Sequence, residues 1–157
     1  MQEGDKGMEK DKVILPQISL DPTEDIDMCF VCGRNNPIGL KLKFRQEGKK
    51  AVAEFTPAKV HQGWADIVHG GIINTLLDEA MSYAAIFEGL VCITAKMESR
   101  WRRPAKVGET LVITSSVTKN ARRLIEVEAA ISLKDGTVIA EATGLMYVAN
   151  KMGDRRA

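Results

Sequence analysis

The spacing of apolar and polar residues predicts one long helix set among strands. Apolar side chains fill most of residues 70–88, a length typical of a helix, and Gly89 follows where the helix would end. Before the helix, residues 40–45 (LKLKFR) alternate between apolar and basic, as in a half-buried strand. The segment AVAEF (51–55) is predicted to be the hairpin partner of that strand, across a QEGKK turn.

The chain after the helix has a strand-like pattern throughout. Two stretches, VCITAKMESRWRRP and ETLVITSSVTKN, are followed by a third, RRLIEVEAAISLKDGTVIAEATGLMYVA, in which Asp135-Gly136 is a strong hairpin signal. The order is therefore strand, strand, long helix, then three or four antiparallel strands. This order predicts an α+β fold with an antiparallel sheet wrapped around a single helix, and not a doubly wound parallel sheet.

The chain length of 157 residues fits one domain with a sizeable core. Residues 1–28 are polar and are expected to form a loosely ordered arm, with one short docked piece at VILPQI (13–18). The domain itself is expected to span residues 29–150, and residues 151–157 form a C-terminal tail.

The charge balance excludes some classes of partner. Lys plus Arg number 22 against 21 for Asp plus Glu, so the net charge of +1 gives no reason to expect a nucleic acid or membrane partner. The N-terminus lacks the apolar centre of a signal peptide, and no apolar stretch is long enough to span a bilayer. Three cysteines without an export signal favour reduced thiols and a cytoplasmic protein.

The motif CFVC places Cys29 and Cys32 in a lone CxxC pair. A zinc site would normally need a second pair or histidines at ligand spacing, and His61 and His69 lie in another segment. The spacing therefore favours structural thiols and no metal, with a redox or zinc protein as the alternative.

The helix carries an unusual acid. Asp78 lies deep in the apolar run, and His69-Gly70-Gly71 opens the helix nine residues before it. Farther along, Thr94 precedes a turn of the pattern Pro-x-x-x-Gly at residues 104–108. Together these features resemble the hotdog-fold acyl-CoA thioesterases, especially the phenylacetyl-CoA thioesterase branch, over residues 29–149.

The resemblance implies a hotdog fold, a dimer or dimer of dimers with sites at the subunit interface, and hydrolysis of an acyl-CoA thioester without a metal or organic cofactor.

The residues of the motif also suit thioester hydrolysis without reference to the family. The free N–H groups and positive dipole end of a helix start can hold an oxyanion, and Gly70 and Gly71 let a carbonyl come close. Asp78 can then act as general base or as nucleophile, and Thr94 is implied to steady the attacking water.

A distance argument favours a shared site. Eight residues separate Gly70 from Asp78, or about 12 Å along a helix axis. A short carboxylate side chain does not close that gap, so the acid serving one carbonyl is expected to come from a second subunit.

The alternative is that Asp78 is a buried carboxylate bonded to Thr75 or Ser82. Glu79 is expected to be solvated or at an interface.

Five further residues are candidates for substrate binding. Many relatives have Asn or Gln six residues before the histidine. Here that position is Gly63, so either Gln62 takes the role or the role is vacant. His69 is expected to shape the turn by bonding a carbonyl. Arg102 and Arg103 are candidate anchors for the CoA phosphates, with a solvated sheet face as the alternative. Asn36 lies in a loop that either caps an acyl pocket or simply turns the chain.

Two other functions share this scaffold. A dehydratase or hydratase would pair an acid with a catalytic histidine, whereas His69 lies at the wrong end of the predicted helix for that role. A non-catalytic acyl-CoA-binding protein would bind thioesters without turnover.

Overall fold

One antiparallel sheet packs against one helix. The structure, a computed structural model, describes residues 18–154, so most of the predicted VILPQI segment lies outside the described residues. The elements are β1 (Arg45–Glu47), β2 (Lys50–Phe55), α1 (Gly70–Phe87), β3 (Leu90–Trp101), β4 (Leu111–Ala121), β5 (Leu124–Leu133) and β6 (Val138–Lys151), with a 3-10 turn at Lys59–His61. The strand order is β1-β2-β4-β5-β6-β3, and every pair is antiparallel. The predicted α+β architecture is confirmed.

The first predicted strand is wrong in extent, because pairing begins only at Arg45. Lys41 has a left-handed backbone, with φ of 59°, which interrupts an extended strand. The N–H groups of Leu40 and Leu42 donate instead to the carbonyls of the preceding loop at residues 30 and 31. The alternating pattern still directs burial, since both leucines lie in the core while the lysines between and after them are exposed.

One side of α1 forms the centre of the core. Its buried residues are Ile73, Leu76, Leu77, Ala80, Met81, Ala84 and Ala85. Burying each of the larger side chains contributes about 1.5–3 kcal/mol. The opposite side carries a polar strip of residues that recur every four positions and that the chain leaves exposed or only partly buried, namely Gly70, Asn74, Asp78 and Ser82. Only one face of the helix is therefore covered by this chain.

The two edges of the sheet differ in length. β1, at one edge, has three residues, whereas β3, at the other edge, has twelve. The register between β3 and β6 shifts between Thr94 and Lys96, so Ala95 forms a bulge. Within the described residues, no helix has the length and apolar character needed to cross a membrane.

Candidate functional site

His69 caps the start of α1 through its side chain. The ring nitrogen Nδ1 accepts a hydrogen bond of 2.8 Å from the N–H of Gly71. The predicted turn-shaping role is therefore correct, but the partner is an amide and not a carbonyl. The N–H of Gly70 donates no hydrogen bond within residues 18–154. In this arrangement Gly70 is the free donor at the helix start, while the N–H of Gly71 already has a partner.

A cleft of about 700 Å³ opens in front of the helix start. Its lining includes His69, Gly70, Arg102 and Arg103, so the structure brings together four of the nine candidate site residues. A Cβ atom at residue 70 would point at the indole of Trp101, with 3.8 Å to Nε1. Glycine there adds no side chain to the cleft, which fits the close approach of a carbonyl.

Two tryptophans that the sequence reasoning did not consider also line this cleft. The side chain of Trp64 is 83% exposed and that of Trp101 is 46% exposed. Exposed aromatic side chains next to a free backbone donor are typical of ligand-binding or protein-binding surfaces. A signal was present in the sequence, since both tryptophans of the chain flank the HGG motif and the turn at residues 104–108.

Both arginines of the cleft follow the end of β3. The N–H groups of Arg102 and Arg103 donate to the same carbonyl, that of Ile139, so the regular strand pairing ends here. Both residues line the cleft. Arg102 also pairs with Glu141 through Nε at 3.1 Å and a terminal nitrogen at 3.0 Å. This pair is half-exposed and contributes at most about 1 kcal/mol, so it can exchange for another anion.

Asp78 is bonded to the residue that the motif indicated. The hydroxyl of Thr94 donates to Oδ1 of Asp78 at 2.6 Å, from the strand position just before the Ala95 bulge. The alternative partner Thr75 donates instead to the carbonyl of Gly71. Asp78 is half-buried, and its second carboxylate oxygen has no hydrogen-bond partner within residues 18–154. Thr94 therefore holds one oxygen of the carboxylate and leaves the other available.

Asn74 lies between the helix start and Asp78 on the polar strip. Its side-chain oxygen is buried and, within the described part of the chain, has no hydrogen-bond partner. A buried amide oxygen without a partner costs about 1–3 kcal/mol.

Gln62 and Asn36 are placed by their own loops and do not line the cleft. The side-chain oxygen of Gln62 accepts from the N–H of Asp66 at 3.2 Å. The Asn36 side chain donates to the carbonyl of Met28 and accepts from the N–H of Ile38, both at 3.0 Å. In this structure both side chains stabilise turns.

A second polar cluster lies where the loop that carries Cys29 and Cys32 contacts α1. The Sγ atom of Cys29 donates to Oε1 of the half-buried Glu79 at 3.4 Å, so this acid has a partner within the chain. The expectation of a solvated or interface Glu79 stays a prediction. Burial raises the pKa of the Cys32 thiol well above its usual range, and Glu79 adds to this effect. Burial likewise raises the pKa of the Tyr83 phenol, which lies beside Cys32.

Comparison with known proteins connects this geometry to a family. Residues 65–140 match the family model described as the thioesterase superfamily. The resemblance to the hotdog-fold thioesterases is confirmed. Acyl-coenzyme A thioesterase THEM4 of Mus musculus is 33% identical over 98 residues, which are 62% of this chain and 42% of that protein. The chain thus spans less than half the length of the first curated relatives that it matches.

Solved structures show the same hotdog fold. The E. coli PaaI protein from the phenylacetic acid degradation operon is 21% identical, with a TM-score of 0.67 over 72% of this chain and 83% of that one. The smu.793 protein of Streptococcus mutans UA159, solved bound to acetyl CoA, is also 21% identical, with a TM-score of 0.67 over 71% of this chain and 90% of that one. At these identities the likeness shows the fold alone.

Proposed function

We propose that the protein hydrolyses an acyl-CoA thioester to the free acid and CoA. The observation that carries the proposal is the combination of a free amide donor at Gly70, facing a cleft, with a carboxylate at Asp78 held by Thr94. The similarity to proteins named acyl-coenzyme A thioesterases, and to a hotdog protein bound to acetyl CoA, supports CoA as the carrier.

The amide of Gly70 polarises the thioester carbonyl and holds the oxyanion that forms when water adds. Asp78 takes a proton from that water through the carboxylate oxygen that Thr94 does not occupy. Collapse of the tetrahedral intermediate breaks the C–S bond, and the CoA sulfur leaves as a thiolate that takes up a proton. Arg102 and Arg103 at the rim of the cleft bind CoA phosphates, because guanidinium groups match phosphate geometry.

The two halves of this chemistry come from different subunits in our proposal. Gly70 and Asp78 are about 12 Å apart along the helix axis, too far to act on one carbon within a chain. β3 is a long edge strand without a neighbour in the described chain, and natural sheets usually cover such edges. The polar strip of α1 is also left only partly buried by the chain itself. A two-fold dimer through β3 and this strip of α1 would cover both.

A substrate screen tests the reaction. Thiol release should be measured with short, medium, long and aromatic acyl-CoA substrates, and at least one should give a kcat/KM above about 10⁴ M⁻¹s⁻¹. An enoyl-CoA in the same screen separates hydrolysis from hydration, since hydration consumes the double bond without releasing thiol. Binding across the panel without thiol release would contradict the proposal and favour a non-catalytic acyl-CoA-binding protein.

Thr94 is a positioning residue in this scheme, because it contacts Asp78. Thr94→Val keeps the shape of the side chain but removes the hydroxyl that donates to Oδ1. We expect kcat to fall about ten- to a hundredfold with little change in KM, since a hydrogen bond to a charged group contributes about 1.5–3 kcal/mol. Thr94→Ser retains the hydroxyl and should recover most of the activity. Equal losses in the two variants would show that the hydroxyl is not needed.

We also propose a cytoplasmic location. The three cysteines are unpaired in the structure, which suits a reducing compartment, and CoA thioesters are intracellular metabolites. Cell fractionation with an antibody against the protein would test this.

A further inference from the structure

We propose that Cys29, Cys32 and Glu79 form a zinc site. This site would join the loop at residues 29–33 to helix α1. The three ligand atoms, two Sγ and one carboxylate oxygen, lie within 4.8 Å of one another. The site is separate from the proposed thioesterase chemistry, although Glu79 directly follows Asp78 in the helix. It differs from the sequence-based expectation of no metal, because the third ligand comes from a segment fifty residues away.

The distances suit a tetrahedral zinc ion. With Zn–S of about 2.3 Å and Zn–O of about 2.0–2.2 Å, a tetrahedron has S···O edges of about 3.6 Å. The Cys29 sulfur and the Glu79 oxygen are 3.4 Å apart before any metal binds. Two soft thiolates with one carboxylate favour Zn²⁺ over the hard cations Mg²⁺ and Ca²⁺. Binding releases both thiol protons to solvent, while the carboxylate coordinates as an anion.

The loop backbone is built to hold the two sulfurs together. The N–H of Val31 donates to Sγ of Cys29 at 3.4 Å, a bond that stabilises a metal-bound thiolate. Gly33 closes the turn by donating to the carbonyl of Cys29 at 2.9 Å. A Cβ atom at Gly33 would lie 2.4–2.6 Å from backbone atoms of Cys29 and Asp27, so no larger residue fits without moving the loop.

Charge and access also suit a metal. Zinc with two thiolates and one carboxylate carries a net charge of −1. The ammonium of Lys41 bonds the carbonyls of Gly33, Arg34 and Asn36 just beyond Cys32 and offsets that charge. A cleft of about 780 Å³ is lined by Cys32 and provides an entry path to that sulfur from solvent.

The test is metal content and affinity in the full chain. Protein expressed with zinc and purified under reducing conditions should contain about one zinc ion per chain by elemental analysis. Substitution with Co²⁺ should give the near-ultraviolet charge-transfer band of a cobalt–thiolate site. Glu79→Gln should weaken zinc binding at least about tenfold, measured by competition with a chromogenic chelator. Cys92→Ala and Glu88→Gln, which remove a thiol and an acid elsewhere, should leave affinity unchanged.

Removal of the metal gives an independent readout. A chelator should lower the Tm of the wild-type protein, and added zinc should restore it. The Cys29→Ser and Cys32→Ser variants should show no Tm change with either treatment. If a serine variant fails to fold, the affinity of Glu79→Gln decides the question. Wild-type protein without stoichiometric zinc, a Glu79→Gln variant with unchanged affinity, or a Cys29–Cys32 disulfide in purified unreduced protein would overturn the proposal.

Discussion

Asp78→Asn should lower kcat for thioester hydrolysis by about 10²–10⁴-fold while leaving KM and Tm nearly unchanged. The substitution removes the basic carboxylate but keeps the size of the side chain. The amide oxygen of asparagine can still accept the hydroxyl of Thr94, which reaches Asp78 at 2.6 Å in the wild-type protein. The variant therefore separates loss of the base from loss of structure, and steady-state thiol release measures it.

The matched control is Glu88→Gln, which makes the same change of charge on the exposed C-terminal end of the same helix and should keep wild-type activity. A single turnover in H₂¹⁸O tests for a nucleophilic carboxylate. A general base leaves the label only in the product acid, and so does an acyl-aspartyl anhydride that water opens at the acyl carbon. Water that attacks the aspartyl carbon instead puts the label into Asp78 and leaves the product acid unlabelled, so label in Asp78 shows a nucleophile. Wild-type kcat in Asp78→Asn would remove Asp78 from the mechanism.

The sequence was sufficient for the architecture. Helical spacing, Gly89 and the hairpin at residues 135–136 predicted the elements, because periodic burial is a local property of the chain. The family pattern indicated Asp78 and Thr94 as site residues. The hydrogen bond between them was not predicted, since nothing local in a strand threonine shows which helix residue it contacts.

Contacts between distant segments could not be predicted in the same way. The approach of Glu79 to Cys29 depends on how the N-terminal loop folds over the helix, and the CxxC spacing alone did not indicate a third group. The first strand is shorter than predicted for a similar reason. The left-handed backbone of Lys41 interrupts it, and an alternating pattern of apolar and polar residues does not reveal that conformation. The roles of Gln62 and Asn36 depended on loop hydrogen bonds, which composition does not determine.

Gly70→Pro should lower kcat/KM by about 10²–10³-fold, because proline has no N–H to stabilise the oxyanion. Proline is well tolerated at the first residue of a helix, and His69 before it has ψ of 132°, an extended conformation that suits a residue preceding proline. Gly70→Ala is the matched control. It keeps the N–H and adds a Cβ at ordinary contact distance from Trp101, so it should lose much less activity. Similar losses in the two variants would point to crowding of the cleft and not to the donor.

Mixing the Gly70→Pro and Asp78→Asn proteins tests whether the site is shared. If each site takes its amide from one subunit and its carboxylate from the other, a mixed dimer has one site with both defects and one site with neither. Random exchange makes about half of the dimers mixed, so specific activity should recover to about a quarter of wild type. The subunits should be co-refolded or co-expressed with different tags, and thiol release should also be measured on the purified mixed species, where about half of wild-type activity is expected. If both groups instead act within one chain, every site in the mixture carries a defect and no activity returns. Recovery that requires mixing, and that is absent when either variant is refolded alone, would therefore assign Gly70 and Asp78 of one site to different protomers.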